Sequence, residues 1–252
     1  MTSLISVSLI WFTLFFIIGV KIKKIAIIDV AWASVFSVYI FTLCIANPPS
    51  LNHGAYLLIF LFWSLRLSFF LGITRIGKNK KDDPRYLEMA NKWGKNYYLR
   101  RYLIYLFQAL ISLVIFSGTC FFTNNIIISN KTFYNLGLII MLIGVIGETI
   151  ADQQKYFFKK NSAAKVCNVG LWKYSRHPNY FFDIVFWTGT FIYSLFSISN
   201  IVYFYSPLII ILFLLFFSGI PLAEKNSVKN KGQAYIDYQN KTSILIPWKN
   251  KS

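Results

Sequence analysis

The chain has 252 residues, of which 56% are hydrophobic and 19% aromatic, and a mean hydropathy of +0.52. Only 14% are charged, against about 25% in a soluble domain, and the apolar residues fall in runs of about 17–25, the length that crosses a bilayer. A net charge of +17 does not mark a nucleic-acid binder here, because the basic residues sit in short segments between apolar runs, the pattern that orients a membrane protein.

The expected class is therefore an all-α polytopic membrane protein, a single domain over residues 1–252. Seven spans are predicted: residues 3–20, 25–46, 55–73, 102–122, 133–151, 180–197 and 201–222, followed by a tail over 223–252. The first run is read as a retained span, since its positive cluster (Lys21, Lys23, Lys24) follows the apolar stretch and no small-residue cleavage site is present. Turn chemistry separates later runs: N-P-P-S at 47–50, T-N-N at 123–125 and S-I-S-N at 197–200. Of the 26 basic residues, three follow span one, nine lie in 74–101, six in 152–179 and six after 222. The opposite loops hold only Lys131, and Arg66 is inside span three. This alternation puts the N-terminus outside and the C-terminus in the cytoplasm, as in a bacterial inner membrane. Cys44, Cys120 and Cys167 show neither a disulfide framework nor metal-ligand spacing.

Ionisable side chains inside spans are costly and usually functional. They are Asp29 in span two, Arg66 in span three, Glu148 in span five and Asp183 in span six. At about 1.5 Å rise per residue they reach similar depth in the cytoplasmic half, where they are expected to line one polar cavity open to the cytosol. Asp29 and Arg66 have two readings: a buried ion pair between helices, or a site in which Asp29 is a proton donor or hydrogen-bonds the substrate.

The densest polar segment reads G-L-W-K-Y-S-R-H-P-N-Y-F-F-D over 170–183. The proline after His177 suits a first helical turn, and Asn179 and Asp183, four apart, share a face. The free N–H groups of that helix start favour an anion, with Arg176 and Lys173 adding charge. The plainer reading is an interfacial anchor of aromatics and snorkelling cations, which leaves Asn179 and Asp183 without a purpose. Glu148 and Asp152 are likewise four apart, with Lys155 and Tyr156 one turn on; local pairing of Asp152 with Lys155 is the alternative to a functional site. Residues 74–101 read either as an ordered cap over the cavity or as a solvated lipid-facing surface. In the tail, Glu224 is placed to bond a ribose hydroxyl or an amine, Tyr235 and Tyr238 share a helix face, and the last apolar run is short enough to lie at the interface. No Gly-rich phosphate loop follows a strand and no H-x-x-x-H or C-x-x-C occurs, so neither a Rossmann or P-loop site nor zinc is indicated.

The ordered set of motifs resembles the steroid 5-alpha-reductase family, especially its bacterial branch. The matching segments are D-V-A-W at 29–32, W-S-L-R-L at 63–67, D-D-P-R-Y at 82–86, A-D-Q-Q at 151–154, the 170–183 segment, Y-x-x-Y-x-x-x-T at 235–242 and I-P-W at 246–248. The resemblance implies a seven-helix reductase with NADPH on the cytosolic side and a hydrophobic enone, steroid-like or another lipid, reduced from within the bilayer. It implies cofactor contacts at Asn179, Asp183 and the segment around 152–156; the expected cofactor-binding set is Arg75, Glu148, Asp152, Lys155, Arg176, His177, Asn179, Tyr180, Asp183, Glu224, Tyr235 and Tyr238, and the expected catalytic residues are Asp29 and Arg66. Asp29 stands for a Glu of the well-studied members, and Trp63 stands where they place a Tyr. The isoprenylcysteine carboxyl methyltransferases share R-H-P-x-Y, a Glu near the end of the last span and Y-x-x-Y. That second resemblance implies S-adenosylmethionine at the same position. A non-enzymatic lipid-binding or assembly factor is the third reading.

Overall fold

The apolar runs fold as helices, because within a bilayer only a helix or a closed barrel pairs every backbone N–H and C=O. A computed structural model describes residues 2–76, 82–120 and 129–249. The T-N-N turn at 123–125 and the basic K-N-K-K stretch at 78–81 lie outside them. By contact the chain groups into two units, Met1–Ile127 and Ile128–Ser252.

The first unit contains α1 (Thr2–Lys21), α2 (Ile27–Ala46), α3 (Gly54–Ile76), the short α4 (Pro84–Ala90) and α5 (Tyr97–Ser117). Helix α2 is its core: α1, α3 and α5 all pack on it. Phe36 meets Trp63 edge-on at 5.7 Å, and Tyr39 meets Phe116 at 4.9 Å. Lipid tails are as apolar as Leu, so packing and hydrogen bonds hold such helices together. The Tyr39 hydroxyl donates to Ser8 Oγ at 2.6 Å, tying α2 to α1. Ser64 Oγ donates to the Ala33 carbonyl at 2.5 Å and accepts from Ser37 Oγ at 2.7 Å, tying α3 to α2. Helix α5 starts five residues before the predicted span and carries Arg101 into the interior, where Nη2 donates to the Lys24 carbonyl at 2.8 Å. Gly19 leaves room for that guanidinium; a Cβ there would lie 2.6 Å from Nη2.

The second unit contains α6 (Lys131–Asn161), α7 (Pro178–Ser194), α8 (Tyr205–Leu212), α9 (Ile220–Lys231) and α10 (Gln233–Lys241). Asn130 caps α6 by accepting from the N–H groups of Thr132 and Phe133. The predicted end at residue 151 is corrected to Asn161: nothing in A-D-Q-Q-K-Y-F-F-K-K-N breaks a helix, and Lys159 and Lys160 favour its C-terminal dipole end. Helices α6 and α7 form an antiparallel pair at close range. A Cβ on Gly137 would strike Tyr193 backbone, one on Gly144 would lie 2.5 Å from Phe186 N, and one on Gly189 would lie 2.6 Å from Met141 N.

The predicted seventh span is not one continuous α-helix. Between α8 and α9 the chain forms a π-helical turn over Phe213–Phe217, then breaks at Ser218 and Gly219. Pro221 has no N–H to continue the ladder, which accounts for the break. Among the described residues six helical runs are long and apolar enough to cross a membrane: Thr2–Lys21, Ile27–Ala46, Leu51–Ile76, Gly94–Ser117, Lys131–Asn161 and Ser199–Lys231. The predicted sixth span appears as α7, whose 17 residues reach about 26 Å, short of a hydrocarbon core of about 30 Å. All three cysteines are free.

Candidate functional site

In the second unit the site grows from one carboxylate. Glu224 lies in the first half of α9, and its oxygens gather donors from two other segments, the entrance to α7 and α10. Oε1 accepts from His177 Nε2 at 2.6 Å, Tyr235 OH at 2.7 Å and Arg176 Nε at 3.2 Å. Oε2 lies 3.0 Å from Arg176 Nη2 and accepts from Gln239 Nε2 at 2.5 Å. Two carboxylate oxygens offer about four lone-pair positions, and five donors fill them. The ribose or amine contact expected of Glu224 therefore has no open acceptor position; its partners are protein groups.

The same cluster fastens the tail. Arg176 Nη1 donates to the carbonyls of Gln239 and Thr242 at 2.9 and 2.8 Å, and Arg176 N donates to Ser243 O at 2.8 Å. Ser175 and Ser243 form an isolated parallel bridge, and Ser175 Oγ donates to Leu245 O at 2.6 Å. Tyr238, one turn after Tyr235 and on the same face as predicted, donates its hydroxyl to the carbonyls of Trp172 and Ser175. Burial raises the pKa of both phenols, and for Tyr235 the Glu224 carboxylate adds to it, so both remain donors. Burial also lowers the His177 pKa, outweighing the upward pull of Glu224. A neutral imidazole facing a carboxylate must carry its proton on Nε2. The Tyr180 ring lies parallel to the imidazole, with centroids 5.4 Å apart.

The predicted acids of α6 meet α7 through helix register. The facing pairs run Gly137–Tyr193, Gly189–Met141, Gly144–Phe186 and Gly147–Phe182. The same register sets Glu148 level with Phe182, one residue before Asp183, and Asp152 level with Pro178, one residue before Asn179. Glu148 and Asp152 are buried, at 4% and 7% exposure, whereas Asn179 and Asp183 are half-buried. Lys155 extends over the Trp172 ring at 3.8 Å, and Trp172 Nε1 donates to Ala151 O at 2.8 Å. Gln154 Oε1 accepts from Leu171 N at 2.8 Å; Gly170, at φ +56°, is pressed on the Gln154 amide where no Cβ would fit.

The first unit holds a separate constellation. Asp29 pairs with Arg75 Nη1 and accepts from Tyr86 OH at 2.5 Å. Arg75 also lies 3.7 Å from Asp83. Asp82 accepts from the backbone of Ile25 and Ala26 at 2.5 and 2.9 Å, so the start of residues 82–86 is built into the entry to α2 as an ordered piece. Arg66 sits half-buried two turns before Arg75 on α3, and Trp63 is sunk among Phe36 and Phe60. Tyr86 is outside the predicted site residues, although D-D-P-R-Y, a charged run ending in a phenol, is among the motifs that carry the resemblance. Gln239 gave no such signal, because only the tail's return to α9 makes it a Glu224 partner.

A groove of about 510 Å³ runs along the outer face of α6 past Ile150, Gln153, Gln154 and Phe157, and another of about 670 Å³ lies on α3 by Leu65 and Phe69. Neither is lined by Glu148 or Asp152. No group of three or more His, Cys, Asp or Glu that would hold a metal occurs among the described residues.

No curated protein and no solved structure matches the chain. A family described as a protein of unknown function, DUF1295, matches residues 15–242, and that description names neither a reductase nor a methyltransferase. With helices over most of the matched span, the chain is a polytopic all-α membrane protein and belongs to the DUF1295 family.

Proposed function

We propose that the protein is a membrane-embedded, NADPH-dependent reductase of a carbon–carbon double bond conjugated with a ketone, acting on a hydrophobic substrate. The observation that carries this reading is the α6–α7 register. By that register Glu148 is within about one residue of the level of Asp183, and Asp152 within about one of Asn179, toward the end where the N–H groups open α7. Two buried acids a turn apart on α6, near a helix start suited to an anion, suit a nucleotide with both phosphates and hydrogen-bonding rings. Glu224 serves this site indirectly, by holding Arg176 and His177 in place. In the first unit Asp29 orients the carbonyl, and Tyr86 is the hydroxyl placed against it.

The second reading, S-adenosylmethionine-dependent methyl transfer, draws on the cluster itself. Arg176, His177, Tyr180, Glu224 and Tyr235 are the residues shared with the methyltransferase pattern, and they converge. The acids of α6 have no part in that pattern and favour the reductase. Melting of the detergent-purified protein with each nucleotide separates the two. NADPH is expected to raise the melting temperature and S-adenosylmethionine to leave it unchanged; the reverse pattern replaces the reductase reading with the methyltransferase one.

A further inference from the structure

The stretch after α10 keeps apolar side chains on the surface although its backbone is firmly held. Exposure alternates along it: Ile244, Ile246 and Trp248 are 46%, 58% and 72% exposed, while Ser243, Leu245 and Pro247 are half-buried. Three bonds tie its backbone to the entrance of α7. Ser243 O accepts from Arg176 N at 2.8 Å, Leu245 O accepts from Ser175 Oγ at 2.6 Å, and Trp248 N donates to Tyr174 O at 3.0 Å. Residues 243–248 therefore lie along 174–176, and the exposed side chains project from the side that this segment does not cover.

Two further bonds fix the level of the stretch in the membrane. Trp172 Nε1 donates to Ala151 O at 2.8 Å, and Tyr238 OH bonds the Trp172 carbonyl. Ala151 closes the apolar part of α6, since Asp152, Lys155, Lys159 and Lys160 follow before its end at Asn161. Pro178 opens α7 and its apolar run directly after the segment that holds the tail. The tail is thus placed where hydrocarbon gives way to headgroups, not out in solution. Trp suits that layer, where its apolar ring and its N–H donor are both satisfied.

Charge points the same way. Lys241 and Lys249 flank the stretch and are exposed, as is Lys173 beside it. No acid occurs in residues 238–249 or 170–177. Asp237, just before them, accepts from Gln233 Nε2 at 2.8 Å. Exposed lysines around apolar side chains at the boundary favour an anionic leaflet. A second protein chain would need a matching apolar and acidic surface at the same depth, where lipid headgroups already stand.

We propose that residues 241–249 dock on an anionic lipid surface, with Ile244, Ile246 and Trp248 entering the headgroup layer. The docking also braces the entrance of α7, because the same tail supplies the Gln239 and Thr242 carbonyls that hold Arg176.

The test uses the full chain in nanodiscs. Subtracting the emission of Trp248→Phe from that of the parent isolates Trp248 among the seven tryptophans. The two quenchers are phosphatidylcholine brominated near the headgroup end of its chains and aqueous acrylamide. Quenching by the brominated lipid is expected to be at least about twofold the stronger. Adding phosphatidylglycerol should strengthen it further, and Lys241→Gln with Lys249→Gln should abolish that gain. Ile244→Ser with Ile246→Ser should move Trp248 toward quenching by acrylamide. Quenching of the parent's Trp248 by acrylamide alone would put the tail in water and overturn the docking. Protection from both quenchers would mean that protein covers the tail, a second copy of the chain included, and would equally overturn it. A response indifferent to phosphatidylglycerol and to the lysines would overturn the anionic surface.

Discussion

His177 Nε2 lies 2.6 Å from Glu224 Oε1, which joins the first turn of α7 to α9 across 47 residues of chain. The bond holds the imidazole at the helix entrance in one tautomer and one orientation. It also makes Glu224 a hub for Arg176, Tyr235 and Gln239, so the tail and the α7 entrance form one structure.

Replacing that hub should therefore cost stability before it costs chemistry. In Glu224→Gln, an amide faces Arg176 and leaves a largely buried guanidinium without its carboxylate. A loss of about 3 kcal/mol is expected, the usual cost of breaking a buried pair from one side. Denaturation in mixed detergent micelles measures it. A change under about 0.5 kcal/mol would show that Arg176 is satisfied by the Gln239 and Thr242 carbonyls alone.

His177 gives the second unit a pH dependence of known sign. Its folded pKa lies below its unfolded value, so between the two the unfolded chain binds more protons. The stability from keeping it neutral is complete above the unfolded pKa of about 6.5 and is lost as pH falls below that value. The melting temperature should drop from about pH 7 toward pH 5, and His177→Asn should flatten that part of the profile. An unchanged slope in the variant would assign the effect to another group.

Asp29 and Tyr86 divide differently between binding and turnover. Tyr86→Phe removes the hydroxyl that donates to Asp29, and Asp29→Asn removes the charge that Arg75 pairs with. On the reductase reading both should lower kcat by about tenfold to a hundredfold and leave NADPH affinity within about twofold, a loss under about 0.5 kcal/mol. Equal losses in turnover and cofactor affinity would remove the pair from the carbonyl side.

Glycines separate close packing from helix propensity. Gly144→Ala meets Phe186 backbone and should destabilise by about 1–3 kcal/mol. Gly72→Ala, in α3 with nothing within 4 Å, should gain up to about 1 kcal/mol from propensity. Thermal unfolding of the two variants checks the contrast; a loss at residue 72 would reveal a contact the glycine makes.

Hydrophobic run length located the helices, since a bilayer demands about 20 apolar residues per crossing whatever the fold. Run length did less well at the ends. The span over 133–151 ignored the polar continuation of α6, because charged residues end an apolar run without ending a helix. The run over 201–222 hid the break before Pro221, because hydropathy does not register a missing N–H. Proline after His177 located the start of α7 correctly, since its fixed φ and absent donor suit only a first turn.

By itself the sequence determined the class of the protein, the placing of most of its helices and the residues worth watching. Those follow from local rules: apolar length, turn chemistry and the cost of charge in hydrocarbon. What each watched residue touches was decided by tertiary structure alone. Glu224 meets Arg176 and His177 only because the tail folds back, and Asp29 meets Tyr86 only because Asp82 anchors the preceding loop to the start of α2. Partners so far apart in the chain leave no trace in local pattern; they are set by packing that closes long loops, and only the folded chain contains it.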